Sequence, residues 1–240
     1  MQQTSETYKA LLQSGNARKE YKVVISGQGG TNAEDYFRDR ICYLTTRGGI
    51  FAMDRPGIGG TVVREIDLKI WNPGTIPYGA ELRPYVRLTD GETSSEWLQK
   101  GLFFIDTRDE RPGVVIIHGY CSMLKGEQPF MQSGDQGVWP RRDRDIVAQA
   151  AQKMGVTVDP ATTRIVTRGY SIGYPGYGQA GRTVQEVLGY IAAMYAGNFI
   201  MSDTGTLLLL KLQDLDNTAA SLLINEDGQY ITLGGVRICV

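Results

Sequence analysis

Hydrophobic and polar residues alternate with period two in two stretches of this chain. In Arg64–Ile70 (REIDLKI), Ile66, Leu68 and Ile70 fall on one side of an extended backbone, and Glu65, Asp67 and Lys69 on the other. In Ala80–Leu88 (AELRPYVRL), Ala80, Leu82, Val86 and Leu88 alternate with Glu81, Arg83, Tyr85 and Arg87. Successive side chains of a strand point to opposite faces, so charge at every second position predicts half-buried antiparallel strands. The segment between them, WNPGTIPYG (71–79), holds two prolines and two glycines and predicts a long hairpin loop or an arch. Further strands are predicted at Tyr21–Ser26, at Ile41–Leu44 and in GLFFIDTR (101–108), and their spacing suggests a small barrel or sandwich over about 21–110. The run VVIIHGY (114–120) is apolar on both faces and predicts a central strand.

Elsewhere the period is helical. Thr7–Gln13 predicts a short helix closed by Ser14 and Gly15. Asp145 opens a second, DIVAQAAQKM, with Ile146, Val147, Ala150 and Met154 on one side and Gly155 as its stop. A loop over Val158–Thr163 then leads to a strand, RIVTRGY (164–170), and to a glycine-rich segment, 170–181. The third helix follows Thr183, whose spacing from Glu186 fits a capping box. Val184, Val187, Leu188, Ile191 and Met194 would line its core face, with Gly197 at its end. NFIMSDTGTLLLLKL (198–212) reads as a hairpin turning at SDTG, and a few short strands follow. The fold class is therefore α+β and β-rich. Its expected divisions are a helix and linker over 1–20, a β-barrel over 21–111 ending at Arg111-Pro112-Gly113, an α+β region with two helices over 112–198, and strands of a second barrel over 199–240.

Composition narrows the function. The 240 residues carry a net charge of −1, and the densest basic run, PRRDR (140–144), is followed at once by Asp145 and an apolar helix. Tight binding of a phosphate backbone needs clustered Lys and Arg, so no specific nucleic acid is expected as a partner. The three cysteines, Cys42, Cys121 and Cys239, are odd in number and far apart, which points to neither a disulfide framework nor a zinc knuckle. No stretch reaches the roughly 18 apolar residues of a membrane helix, and the opening MQQTSETYKALLQSG lacks the apolar core of a secretory signal.

Three motif matches suggest chemistry and are better explained without it. Gly176-x-Gly178-x-x-Gly181 imitates a dinucleotide fingerprint, but Pro175 interrupts the strand that must feed it. Asp203-Thr204-Gly205 is the aspartic-protease triplet, yet a single copy between two apolar strands is what a tight turn requires. His118 is the sole histidine, so any His/Cys pairing depends on it and Cys121, three positions along a strand and hence on the opposite face. His118 is expected to be a core histidine satisfied by a backbone carbonyl. No catalytic residue, cofactor or metal site is therefore assigned. The glycine-interleaved Tyr170, Tyr174 and Tyr177 are the candidate partner-contact residues, since tyrosine on a loop suits protein contacts.

Three stretches, TYKALLQSGNARKEYKVVI, GLFFIDTRDERPGVVIIHGYCSML, and DRDIVAQAAQKMGVTVD with TVQEVLGYIAAMYAGNFIMSDTGTLLLL, resemble in order the hub proteins of tailed phages and related injection machines. The resemblance implies a tail-tube-like antiparallel β-barrel, an inserted α+β domain and the first strands of a second barrel. It also implies a homotrimeric ring at the tail tip or baseplate that meets the tail tube, the distal tail or baseplate proteins and the tape-measure protein. In that family the second barrel and any lytic domain continue past the pattern matched here. The competing expectations are a tail-attached peptidase or cell-wall hydrolase, and a carbohydrate-binding module resting on the tyrosine loop.

Overall fold

The computed structural model describes residues 4–51, 57–131, 139–166, 169–173 and 181–211, with the backbone of 232–233 and 236–237. Helix α1 (Glu6–Gln13) precedes strands β1 (Arg18–Ser26), β2 (Glu34–Phe37), β3 (Ile41–Arg47), β4 (Thr61–Val62), β5 (Glu65–Trp71), β6 (Glu81–Thr89), β7 (Leu98–Gln99), β8 (Phe103–Arg111) and β9 (Val114–Cys121). Then come β10 (Arg141–Arg142), α2 (Asp143–Met154), α3 (Pro160–Ile165), β11 (Ser171–Ile172), α4 (Val184–Met194), β12 (Gly197–Met201) and β13 (Leu207–Lys211), with a small pair, β14 (Thr232–Leu233) and β15 (Val236–Arg237). The fold is α+β and β-rich.

The principal sheet runs β2-β1-β6-β8-β9-β5-β3, with β7 beside β6, and every pairing in it is antiparallel. The alternating positions behave as the pattern demands. Ile66, Leu68 and Ile70 are buried while Lys69 and Trp71 are exposed, and Leu82, Val86 and Leu88 are buried on β6. Strand β9 sits between β8 and β5, with Val115, Ile117 and Cys121 buried on one face and Ile116, His118 and Tyr120 half-buried on the other. Because β8 and β9 also separate β5 from β6, the linker at 72–80 is an arch and not a hairpin.

The two outermost strands, β2 and β3, are joined by only three residues, 38–40. Seven strands laid flat at about 4.8 Å spacing would hold those edges about 29 Å apart. A chain of four Cα steps spans at most about 14 Å. The sheet therefore curls, and its two ends meet at that corner. No hydrogen-bonded ladder joins β2 to β3 among the described residues, so the barrel is left open there. Side chains cross the corner instead. Arg40 donates from Nη1 to Glu34 Oε1 (2.8 Å) and from Nη2 to the carbonyl of Asn72 (2.6 Å), and the Tyr36 hydroxyl donates to Glu34 Oε2 (2.8 Å).

One continuous core links this sheet to the helices: Val23, Ile25, Tyr36, Ile66, Leu82, Phe103 and Ile117 belong to the same cluster as Ile146, Met154, Leu188, Ile191 and Phe199. Strand β12 pairs antiparallel with β13 and parallel with β4, which two residues separate from β5. The expected boundary at residue 111 falls on the Pro112-Gly113 turn of the β8–β9 hairpin, where Arg111 pairs with Val114.

Three local expectations are corrected. The loop and strand expected over 158–170 contain α3, because Asp159 caps it by accepting from the Ala161 amide (2.9 Å) and Pro160 supplies a preset φ at its first turn. Met194 is 45% exposed and not a core residue. Helix α4 ends at Met194 with Tyr195 as its cap, and the left-handed residue beyond it is Ala196 at φ 50°, not Gly197, which is already in β12. The capping box at Thr183 and Glu186 is present in full.

Candidate functional site

Among the described residues the longer unsealed end of the sheet is the outer edge of β3. On one side Ile41–Arg47 pair with β5, with a bulge at Cys42. On the other side no backbone group of the strand has a bonded partner among the described residues. Its sequence, ICYLTTR, has no proline and one charge, Arg47, at its end. Cys42, Tyr43, Thr46 and Arg47 are exposed. Uncovered edges of this kind are templates for further strands unless charge, proline or a covering element blocks them. The chain shows such a cover elsewhere. On β13 the buried Thr162 of α3 donates through Oγ1 to the Leu207 carbonyl (3.2 Å) and accepts from the Leu209 amide (2.7 Å), sealing that strand as a neighbouring backbone would. Nothing equivalent lies on β3 among the described residues.

Beside this edge the outer face carries an ionic row. Asp67, opposite Thr45 on β3 and His118 on β9, is 3.1 Å from Arg47 and accepts from His118 Nδ1 at 2.7 Å. The Tyr120 ring stands edge-on to the imidazole at 4.7 Å between centroids. His118 is thus a half-buried surface residue held by a carboxylate, not a core residue bonded to a carbonyl. The pattern could not show this, since Asp67 reaches it only through the β5–β9 register. Cys121 lies on the opposite face, buried, with its thiol accepting from the Arg64 amide (3.1 Å), and burial pushes the thiol pKa up. Asp203, in the turn between β12 and β13, pairs with the Arg64 guanidinium at 2.9 Å. His118, Cys121 and Asp203 therefore do not converge on one cleft.

Tyr170 is 41% exposed and rests edge-on against Tyr195 at 5.5 Å, while its carbonyl accepts from the Asp143 amide (3.0 Å). Tyr174, Tyr177 and the first two glycines of the Gly-x-Gly-x-x-Gly match lie outside the described residues. Sequence reasoning passed over the two aromatic residues flanking the arch, Trp71 and Tyr78, which are exposed. Their signal was available: large aromatics set in a linker otherwise made of Pro, Gly, Asn, Thr and a single Ile.

No family model matches the sequence, and no curated protein does. Among solved structures the chain is similar to the 43 kDa tail protein of prophage MuSo2 from Shewanella oneidensis, at 12% identity and a TM-score of 0.47. The similarity covers 80% of this chain and 56% of that one, so the chain spans little more than half the length of the protein it matches.

Proposed function

We propose that this chain is a structural component of a phage or phage-like tail: a hub subunit at the tail tip or baseplate, forming a homotrimeric ring that docks the tail tube and its neighbours. The neighbours are distal tail or baseplate proteins and the tape-measure protein, and the site of action is the virion tail. The observation that carries the reading is the unsealed edge of β3 on a curled sheet. A subunit with a seven-residue strand whose outer backbone groups have no bonded partner among the described residues is suited to pairing with another chain. The ordered resemblance of the three stretches to tail hub proteins supplies the setting, and self-assembly rather than turnover supplies the work.

The test is the oligomeric state of the purified chain by sedimentation velocity and light scattering, beside a variant carrying Tyr43→Lys and Thr46→Lys on the free edge. A concentration-dependent trimer that falls to monomer in the variant supports the reading. A wild-type chain that stays monomeric at its highest soluble concentration overturns it.

A further inference from the structure

The arch at 72–80 and strand β8 border a cleft of about 490 Å³ lined by Tyr78, Asp106, Arg108 and Glu110 together with Pro77, Gly79 and Ile105. Besides the bond from Arg40 to the Asn72 carbonyl, the arch is fastened on the β8–β9 side. The Asn72 amide donates to the Gly113 carbonyl (2.7 Å), and Arg108 Nη1 donates to the Ile76 carbonyl (2.9 Å). On this anchored frame Tyr78 is 97% exposed, with the Arg108 guanidinium 5.6 Å from its ring centre. Strand β8 shifts register between Ile105 and Thr107, which makes Asp106 the bulged residue. Bulges re-aim side chains and gather beside functional sites. The Asp106 carboxylate is exposed and has no ion pair or hydrogen bond among the described residues.

We infer that this cleft is a binding site for a neutral saccharide unit of a surface glycan. The charges of the cleft are largely cancelled in place, Arg108 with Glu110 (2.8 Å) and Arg111 beside it with Asp109 (2.8 Å), so neither a phosphate nor a strongly basic peptide is the matching ligand. What remains is one exposed aromatic ring beside the Arg108 guanidinium, an acceptor at Asp106 without a partner among the described residues, and guanidinium donors already held in position. A pyranose needs those three things: a flat face for its apolar C–H groups, acceptors for its hydroxyl protons and donors for its oxygens. A second cleft of about 600 Å³, lined by Asn72, Gly74, Arg111 and Gly113 among others, shares Arg108 and Glu110 with the first, which gives room for an adjoining sugar.

The site does not rest on the assembly reading. A ring that binds no sugar ends this inference alone, and a monomer that binds one ends the other alone. The experiment uses the full chain against a panel of neutral oligosaccharides of glucose, galactose, mannose and N-acetylglucosamine, with uronic-acid polysaccharides as the charged comparison, and affinities from calorimetry. Binding by wild type is expected to persist in 0.5 M salt, as contacts without net charge are little screened (roughly). Tyr78→Ala should weaken it by about tenfold, while Tyr78→Phe, which keeps the ring, should hold it within about twofold. Asp106→Asn should weaken it severalfold, and circular dichroism should show all three variants folded. The inference is overturned by a blank panel with wild type, by binding that survives both Tyr78→Ala and Asp106→Asn, or by binding confined to acidic polysaccharides and lost in salt.

Discussion

Arg64 holds more of the chain together than any pattern along the sequence suggests. Its guanidinium reaches Asp203 (2.9 Å), the Met201 carbonyl (3.4 Å) and the Lys100 carbonyl (2.8 Å), and its amide reaches the Cys121 thiol. It thereby ties the start of β5 to the β12–β13 hairpin. The side chain is only 16% exposed, so Arg64→Ala leaves a carboxylate and two carbonyls without their donor and should cost about 2–3 kcal/mol in urea unfolding. Asp203→Ala should cost less, because that carboxylate is more exposed and its attraction is screened. At the open corner of the sheet, burial first and then the hydrogen bond to Glu34 raise the Tyr36 pKa from 10.0 to about 12. A group whose pKa is higher folded than unfolded stabilises the fold fully below the unfolded value, and that contribution is lost as pH rises through the folded one. Stability should therefore fall between pH 10 and about 12 by an amount that Tyr36→Phe abolishes, measured by denaturant titrations across that range. Equal slopes in the two proteins would refute the assignment. None of this was legible from sequence, since Arg64, Asp203, Tyr36 and Glu34 are ordinary polar or aromatic letters until the register brings them together.

At the scale of elements, legibility followed local chemistry. Period two fixed β5 and β6, and the capping box fixed the start of α4, because those signals live within a few neighbouring residues. The end of α4 was misplaced because its determinant is remote. A Cβ on Gly197 would lie 2.5 Å from the Leu210 carbonyl oxygen, so glycine is needed there for the close approach of β13 and not to end the helix. The left-handed turn falls instead on Ala196, which carries a Cβ at φ 50°. Ala196→Gly should accordingly raise stability by about 0.5–1 kcal/mol. Thermal and urea unfolding would check this, and a destabilised variant would mean that the strain is not there. The start of α3 is legible in Asp159-Pro160, a cap followed by a first-turn proline, although the β-branched residues that follow favour an extended chain. As for the candidate edge, the sequence gives β3 as a strand but cannot say that it is an outermost one. That fact belongs to the strand order.

For the whole molecule, the decisive fact is where β9 goes. An alternation of faces over residues 21–110 suggested a barrel complete within that span, yet β9 enters between β8 and β5 and pairs with both along their length. Removing it would leave β5 and β8 each with an open edge in the middle of the sheet. It would also strip Val115 and Ile117 from a core that already extends through Leu188 and Phe199. An open central gap leaves buried backbone groups without partners, a cost of about 1–3 kcal/mol each, against a typical net stability of only about 5–15 kcal/mol. A fragment of residues 1–111 should therefore be unfolded in isolation, with narrow amide dispersion in its proton–nitrogen NMR spectrum and no cooperative melt. A fragment of 1–211, which restores β9, both longer helices and the β12–β13 hairpin, should fold in one transition. If 1–111 alone gives dispersed amides and a cooperative melt, the barrel closes without β9, and the ends of the sheet at β2 and β3 are then free to pair with each other instead of with a neighbouring subunit.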